Sequence, residues 1–474
     1  MSFSNLRKNM GERPLLVLGN IAAIGVTRVG GALIDGITYI LVARYFGPTD
    51  YGHYLSLLAF LNLVDLTADM TVTDITVREI SKDPERTGTW LASGTILRLL
   101  LAGVGFLAYL VYVYHGQIAR TPGLLTTAWI ASLVLPVGAL RMPIAVFRAQ
   151  MKMHLELAVV LATRLVNLAM FIALMYYHGQ LYQFFLATFI SRILLAVLVW
   201  GAVLVWLRVR PRFSFDTLRS LVRESFPMGL AGFFVAVQLK VDILMVASIS
   251  GAAAGGLYGV VAQLPEYSLL IPSIVTTPLL PILSKSFGEA LRERFQHVYQ
   301  NLFDGVMALL MPIAIVALVM PRETVTLLFG KRFAEAAPVL PLLVLSIVFM
   351  WVSHAVAIAA VAAGLQRSFI WIQSICVAAY LLLNWILIPL WGFWGAATAR
   401  LAGTMIAPFL TYYVLKNQRG FTLETRTLRR TILAGLVMAG AVLFFSRYPF
   451  LFAGTAGTLV YGAMLWVIPT RRAE

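Results

Sequence analysis

The sequence contains little charge and almost no cysteine. Only 12% of its 474 residues are charged, 60% are hydrophobic, and Cys376 is the one cysteine. A single cysteine excludes an intramolecular disulfide framework and a multi-cysteine metal site. A soluble chain of this length would carry more charge and would usually divide into several domains. The composition therefore predicts a polytopic membrane domain.

The sequence also lacks the motifs of soluble enzymes. Its six histidines show no metal-binding spacing of the HExxH type, and it has no glycine-rich phosphate loop. We therefore expect a protein that is not an enzyme and needs no cofactor or metal, with a coupling Na⁺ or H⁺ left open. The net charge of +16 is interpreted as membrane topology, so no nucleic acid partner is expected.

Apolar runs long enough to cross a bilayer recur along the whole chain. A hydrocarbon core about 30 Å thick needs roughly 20 helical residues, which predicts an all-α protein with about fourteen spans. The predicted spans are 15–42, 54–75, 90–113, 123–143, 155–177, 181–206, 226–249, 256–282, 304–320, 336–362, 368–390, 393–415, 428–445 and 449–469. The first run lacks a clear cleavage site and is expected to stay as an uncleaved span.

Lysine and arginine are distributed unequally between alternate loops. With the N-terminus in the cytoplasm, the cytoplasmic segments hold 25 of the 37 basic residues, the external loops 6 and the spans 6. Cytoplasmic loops of membrane proteins carry such an excess of basic residues. The distribution predicts an even number of spans with both termini in the cytoplasm.

A short motif occurs twice, at equivalent places in the predicted topology. Residues 47–54 and 251–258 each carry glycine, glycine and tyrosine at the first, sixth and eighth positions. Six predicted spans separate the copies, so two halves of the chain would run parallel. The predicted domains are an N-terminal six-helix bundle at 1–207, an amphipathic cytoplasmic linker at 208–225, a C-terminal six-helix bundle at 226–418 and an additional C-terminal helix pair at 419–474.

The first copy of this motif lies in a segment that resembles a known family. Residues 44–54, Arg-Tyr-Phe-Gly-Pro-Thr-Asp-Tyr-Gly-His-Tyr, are similar to the turn after the first helix of polysaccharide transporters. These are the Wzx-type flippases for O-antigen and exopolysaccharide. Residues 78–80 resemble the loop after that family's second helix, and residues 226–230 and 240–242 resemble the start of its second half.

The resemblance implies both a fold and a substrate. The fold is that of the multidrug/oligosaccharidyl-lipid/polysaccharide exporter superfamily, in which two parallel six-helix bundles surround a central cavity. The implied substrate is an oligosaccharide on a polyprenyl pyrophosphate carrier, as in O-antigen and lipopolysaccharide synthesis. The implied transport crosses the inner membrane towards the outer leaflet by alternating access. Membrane lipids are expected partners, and the polysaccharide polymerase machinery is a further candidate.

Charged side chains occur inside the predicted spans, where a lone charge costs at least about 2.5–3.5 kcal/mol. Because guanidinium groups bind phosphate well, the basic residues are expected to line a hydrated cavity that binds pyrophosphate and sugars. They are Arg28, Arg98, Arg164, Arg192, Lys240 and Arg400. The acidic residues are expected to balance this charge or to couple an ion. They are Asp35, Asp65, Asp69, Asp242 and Glu266.

Three other functions stay open at the level of the sequence. A cation-coupled multidrug exporter of the same superfamily would need an acidic cavity, and the six basic and five acidic candidates are nearly balanced. A glycan polymerase or ligase would need a large external loop, whereas the longest predicted one is roughly 321–335. Only the buried charges argue against a non-catalytic subunit of a polysaccharide assembly complex. The sign of the charge around the cavity distinguishes exporter from flippase.

Overall fold

The computed structural model describes residues 14–69, 71–116, 118, 121, 123–272, 292–362, 365–419 and 425–467. All regular secondary structure in these ranges is helical. Within the same ranges, eleven helices are long and apolar enough to cross a membrane, or twelve with one bent pair. The protein is an all-α, multi-pass membrane protein, which confirms the predicted fold class.

The chain forms two compact units. The first comprises Met1–Phe46 and Asp50–Leu244, and the second comprises Gly47–Thr49 and Met245–Glu474. The helices up to the boundary are α1 (Pro14–Phe46), α2 (Pro48–Asp69), α3 (Val72–Lys82), α4 (Thr87–His115), α5 (Leu124–Ser132), α6 (Val134–Ala139), α7 (Ile144–Ala149), α8 (Met153–Tyr176), α9 (Leu181–Gly201) and α10 (Phe215–Ile249).

The remaining helices belong to the second unit. They are α11 (Ala252–Ala262), α12 (Leu264–Ser268), α13 (Arg292–Val319), α14 (Pro321–Phe329), α15 (Leu340–Ala362), α16 (Gln366–Trp391), α17 (Phe393–Arg419), α18 (Thr425–Phe444) and α19 (Phe450–Val467). A core of this unit packs α13, α15 and α17 around the buried Trp351, whose indole donates to Ser268 Oγ at 3.1 Å.

Eleven of the fourteen predicted spans correspond to the eleven spanning helices, and the other three differ. The span 256–282 is described only to residue 272. The span 304–320 is half of the bent pair, in which α13 and α14 meet at 98°. Pro321 begins α14, and a proline cannot continue the preceding helix. The span 393–415 lies in the 27-residue helix α17, which contains Pro408 and is not one of the eleven spanning helices.

The fourth predicted span, 123–143, is interrupted. It consists of the short helices α5, α6 and α7, which are joined by turns. Pro136 and Pro143 lie in this stretch, and proline has no N–H for a helical hydrogen bond. Some backbone carbonyls are therefore available to side chains. The Gly138 carbonyl accepts from Arg98 Nη2 at 3.2 Å, and the Leu140 carbonyl accepts from Trp200 Nε1 at 2.8 Å.

The predicted linker 208–225 is divided between an irregular segment and a helix. Residues 208–214 are irregular, and α10 then runs without a break through Ile249. The linker packs on its own unit, because Arg212 N donates to the Gly88 carbonyl at 3.1 Å and Ser93 Oγ to the Ser214 carbonyl at 3.2 Å. The domain boundaries stay predictions, since the division into units falls later, at 244.

Both copies of the repeated motif begin with a glycine in a left-handed backbone conformation. Gly47 has φ of 78° and precedes α2, and Gly251 has φ of 90° and precedes α11. The tyrosines at the eighth position, Tyr54 and Tyr258, are both buried. The two segments therefore share a turn and a packing position, which supports the internal repeat.

We predict that Gly251→Ala destabilises the fold. Gly251 has φ of 90° and ψ of 164°, a region essentially restricted to glycine, where strain costs about 1–3 kcal/mol. The midpoint of thermal unfolding in detergent should fall. Gly440→Ala is the matched control, because its helical position has open space for a Cβ and alanine is the better helix former. Equal midpoints for the two variants would contradict the assignment.

Candidate functional site

The first unit contains a cavity of about 690 Å³. Its walls come from α1, α2, α3, α4, α6, α7, α8 and α9, all within that unit. The volume lies within the roughly 300–1,000 Å³ of sites that bury small ligands. A ligand with a compact polar headgroup fits a cavity of this size.

Charged side chains dominate the lining of the cavity. The six arginines are Arg28, Arg98, Arg141, Arg148, Arg164 and Arg192. The four acids are Asp35, Asp65, Asp69 and Glu156. Six positive charges against four negative charges leave a formal charge of +2. The cavity is therefore suited to an anion.

Two carboxylates of α2 and three arginines form a network at the centre of the cavity. Asp65 Oδ2 lies 3.2 Å from Arg192 Nη1 and 3.7 Å from Arg141 Nη1. Asp69 Oδ2 lies 2.5 Å from Arg141 Nη2, and its Oδ1 lies 3.1 Å from Arg98 Nη1. Arg98 Nη2 also lies 3.9 Å from Asp65 Oδ1. The network has one more positive than negative group.

Glycines allow these arginines to lie against helix backbones. A Cβ at Gly138 would be 2.8 Å from Arg192 Nη1 and 3.2 Å from Asp65 Oδ1. A Cβ at Gly31 would be 2.8 Å from Arg164 Cζ. At 2.8 Å, the arginine side chain would have to move away from the added Cβ in either case. Gly31 in α1 thus provides room for a guanidinium.

Two further ion pairs lie beside the central network. Arg164 Nη1 of α8 donates to Asp35 Oδ2 of α1 at 2.7 Å, and the two side chains are 38% and 46% exposed. Arg148 donates through Nε and Nη2 to the Glu156 carboxylate at 2.7 to 3.2 Å. The forked geometry of the second pair is the strong form of an arginine–carboxylate contact.

Arg28 differs from the other arginines of the cavity. Its side chain is exposed, and within the described part of the chain it has no ion pair at 4.0 Å or less. Each of the other five is paired with at least one carboxylate. The guanidinium donors of Arg28 are therefore not used by a carboxylate of the described residues.

The structure brings together seven of the eleven residues that the sequence indicated. The cavity is lined by Arg28, Arg98, Arg164, Arg192, Asp35, Asp65 and Asp69. Lys240 and Asp242 are 3% and 0% exposed in α10 and do not line it. Arg400 and Glu266 belong to the second unit, where Arg400 Nη1 donates to the Ala262 carbonyl at 3.1 Å. Functional roles for these four stay predictions.

Sequence reasoning missed three charged residues of the cavity. Arg141 lies at the end of the predicted fourth span and Arg148 follows that span, so both counted among the cytoplasmic basic residues, and Glu156 lies at the start of the fifth span. Arg141 enters the cavity because the interrupted fourth span turns at residues 140–143. A basic residue two positions before Pro143, at the end of an apolar run, was the available signal.

The sequence matches a known family over most of this region. Residues 41–338 match the family described as "Polysaccharide biosynthesis protein". The chain belongs to this polysaccharide biosynthesis protein family. A search of curated proteins finds no match.

Solved structures show which fold this family member has. It is similar to lipid II flippase MurJ in an inward closed conformation, with a TM-score of 0.76 and 14% identity over 94% of this chain and 98% of that one. An inward-facing multidrug resistance MATE transporter of the MOP superfamily has a TM-score of 0.65 and 12% identity over 83% of this chain and 98% of that one. A MOP superfamily transporter from Pyrococcus furiosus, described as having a binding pocket of reverse polarity, has a TM-score of 0.60 and 12% identity over 84% of this chain and 95% of that one.

These similarities establish the fold of MOP superfamily transporters and flippases. They confirm the resemblance found in the sequence. Identities of 14% and less do not transfer a substrate from one protein to another. The chain is therefore a membrane protein with a transporter fold in a polysaccharide biosynthesis family, and its cavity has to indicate the substrate.

We predict that Asp65→Asn destabilises the protein far more than Asp35→Asn. Asp65 is 13% exposed and lies within 4.0 Å of three arginines, and loss of one partner from a buried ion pair costs about 3–5 kcal/mol. The Asp35 pair is half exposed, so its loss should cost about 1 kcal/mol or less. Midpoints of thermal unfolding in one detergent compare the variants. Equal losses would show that Asp65 does not hold the network together.

Proposed function

We propose that the protein is a flippase for a polyprenyl-pyrophosphate-linked oligosaccharide. It moves this lipid from the cytoplasmic to the outer leaflet of the inner membrane by alternating access, with both termini in the cytoplasm. Family membership gives the connection to polysaccharide biosynthesis. The observation that carries the proposal is the formal charge of +2 on an arginine-lined cavity.

A pyrophosphate supplies the negative charge that this cavity lacks. Guanidinium groups bind phosphate oxygens through two parallel hydrogen bonds. Arg28 has an exposed side chain on the wall of the cavity, and Arg164 is held by one half-exposed carboxylate. An entering pyrophosphate would bind Arg28 directly and compete with Asp35 for Arg164. The surplus positive charge would then be neutralised by the substrate.

The carboxylates of the cavity act in this proposal as charge-balancing groups. Asp65 and Asp69 both contact arginines of the central network. Without these carboxylates, the positive charges of the six arginines would repel one another inside an apolar bundle. A role in coupling Na⁺ or H⁺ is favoured less, because Asp35, Asp65 and Asp69 are all paired with arginines.

A cation-coupled multidrug exporter is the second candidate, because MATE transporters share the fold. A cationic drug would enter a cavity of like charge whose central carboxylates are already paired with arginines. A polymerase is favoured less, since the residues predicted as its longest external loop form α14 and a short 3₁₀ helix at Lys331–Val339. The electrostatics of the cavity thus favour the flippase.

We predict that Arg28→Gln weakens binding of polyprenyl pyrophosphate by about tenfold or more, because a hydrogen bond to a charged group contributes about 1.5–3 kcal/mol. The measurement is microscale thermophoresis of the protein in nanodiscs against the lipid. Thermal stability should not change, because Arg28 forms no ion pair with the described residues. The control is Arg322→Gln, an exposed arginine of α14 outside the cavity.

Transport itself is tested in proteoliposomes that contain a fluorescent polyprenyl-pyrophosphate-linked oligosaccharide. Chemical quenching of the outer leaflet measures the fraction of lipid that has crossed. Wild-type protein should move lipid from the inner to the outer leaflet, and Arg28→Gln should slow this movement. Absence of both binding and movement, together with export of a cationic dye, would support the exporter instead.

A further inference from the structure

The cavity lining includes uncharged polar side chains as well as charged ones. Thr73 of α3 is one of them, and its Oγ1 donates to Asp69 Oδ1 of the central network at 2.5 Å. Further uncharged polar side chains of α2, α8 and α9 line the cavity, on the same helices as Asp65, Arg164 and Arg192. The lining therefore combines arginines with a group of uncharged polar side chains.

Two amides and two hydroxyls from three helices make up the main uncharged polar group. Asn62 of α2, Asn167 of α8, and Thr188 and Ser191 of α9 all line the cavity. Ser191 Oγ lies 3.3 Å from Asn167 Oδ1, which joins α8 to α9. Asn62 and Asn167 are each three residues away from a charged residue of their own helix, Asp65 and Arg164, which is about 4.5 Å along the axis.

The uncharged residues occupy matching levels on neighbouring helices. Asn62 lies before Asp65 on α2, and Asn167 lies after Arg164 on α8. The two helices run in opposite directions, because Tyr54 near the start of α2 packs on Phe185 near the start of α9, and Phe171 of α8 packs on Phe184. The amides are thus displaced from the charged groups towards the same end.

We propose that Asn62, Asn167, Thr188 and Ser191 form a subsite for the sugar nearest to the pyrophosphate. This inference rests on the proposed function and assigns a second part of the same cavity. A sugar ring is uncharged and carries many hydroxyl groups, which both donate and accept hydrogen bonds. The glycosidic link attaches it directly to the pyrophosphate, so its site has to adjoin the arginines.

The hydrogen bonds already present leave suitable groups for a sugar. Thr188 Oγ1 donates to the Phe184 carbonyl at 2.9 Å, so its oxygen is left as an acceptor. The Ser191 hydroxyl contacts the Asn167 carbonyl oxygen, and within the described residues no hydrogen bond uses the Asn167 NH₂ group. Nor does the Asn62 amide form a hydrogen bond within that part of the chain. The subsite therefore offers amide donors and hydroxyl acceptors.

A purely structural role explains the two amides less well than the two hydroxyls. Serine and threonine in membrane helices bond to their own backbone, as Thr188 does here. An asparagine amide has two donors and an acceptor that have to be satisfied away from water. Both amides line a polar cavity rather than the apolar outside of the unit. A ligand or water in the cavity completes their hydrogen bonds.

The test compares two ligands on the full-length protein in nanodiscs. One is bare polyprenyl pyrophosphate, and the other is the same carrier with one neutral hexose. Wild type should bind the hexose-bearing carrier more tightly. Asn62→Leu and Asn167→Leu should each weaken its binding by about two- to tenfold, as for one lost neutral hydrogen bond. Binding of the bare carrier should not change, which also shows that the variants are folded. Asn417→Leu, an exposed position of α17, is the control.

The outcomes separate this inference from the proposed function. Equal affinity of wild type for the two carriers would reject the sugar subsite and leave the flippase proposal intact. Equal weakening of both carriers by Asn62→Leu would also reject it, because the residue would then act on the pyrophosphate or on the fold. Failure of wild type to bind either carrier would reject the flippase itself.

Discussion

The structure depends on compensation of arginine charge inside an apolar helical unit. Guanidinium groups stay charged at any physiological pH, and a lone one costs several kcal/mol at membrane depth. Asp65 and Asp69 meet this constraint for three arginines at once. The interrupted fourth span contributes a further partner, because the Gly138 carbonyl accepts from Arg98. Gly138 and Gly31 give the guanidinium groups room against the backbone.

Compensation is incomplete, and in the proposed function the surplus positive charge binds the substrate. Four carboxylates face six arginines, so the cavity keeps a charge that only an anion removes. A structural network needs no surplus, whereas a binding site for a pyrophosphate does. Under this proposal, a few side chains set the sign of the cavity charge and adapt a fold shared with multidrug transporters to an anionic substrate. The proposed subsite of uncharged polar side chains would add selectivity for the sugar that the pyrophosphate carries.

Much of the fold was predictable, and the site was predictable in part. Hydropathy locates spans because each has to cover the apolar core of a bilayer, and eleven predicted spans have spanning helices. It does not show which way a side chain faces. Lys240 and Arg98 have the same sequence signature, yet only Arg98 lines the cavity. Arg141 was missed because prolines interrupt its span and turn the chain inward, which hydropathy averages out. The surplus charge of +2 was also hidden from the sequence, because Arg141, Arg148 and Glu156, which line the cavity, were not among the candidates.

The most direct measurement is a cryo-electron microscopy structure of the protein in nanodiscs with polyprenyl pyrophosphate. The account predicts density for the two phosphates inside the cavity of the first unit, with phosphate oxygens within hydrogen-bond distance of Arg28 and Arg164. Asp65 should stay bound to Arg192 in that complex. Phosphate density elsewhere in the molecule, with this cavity filled only by water, would contradict the central claim.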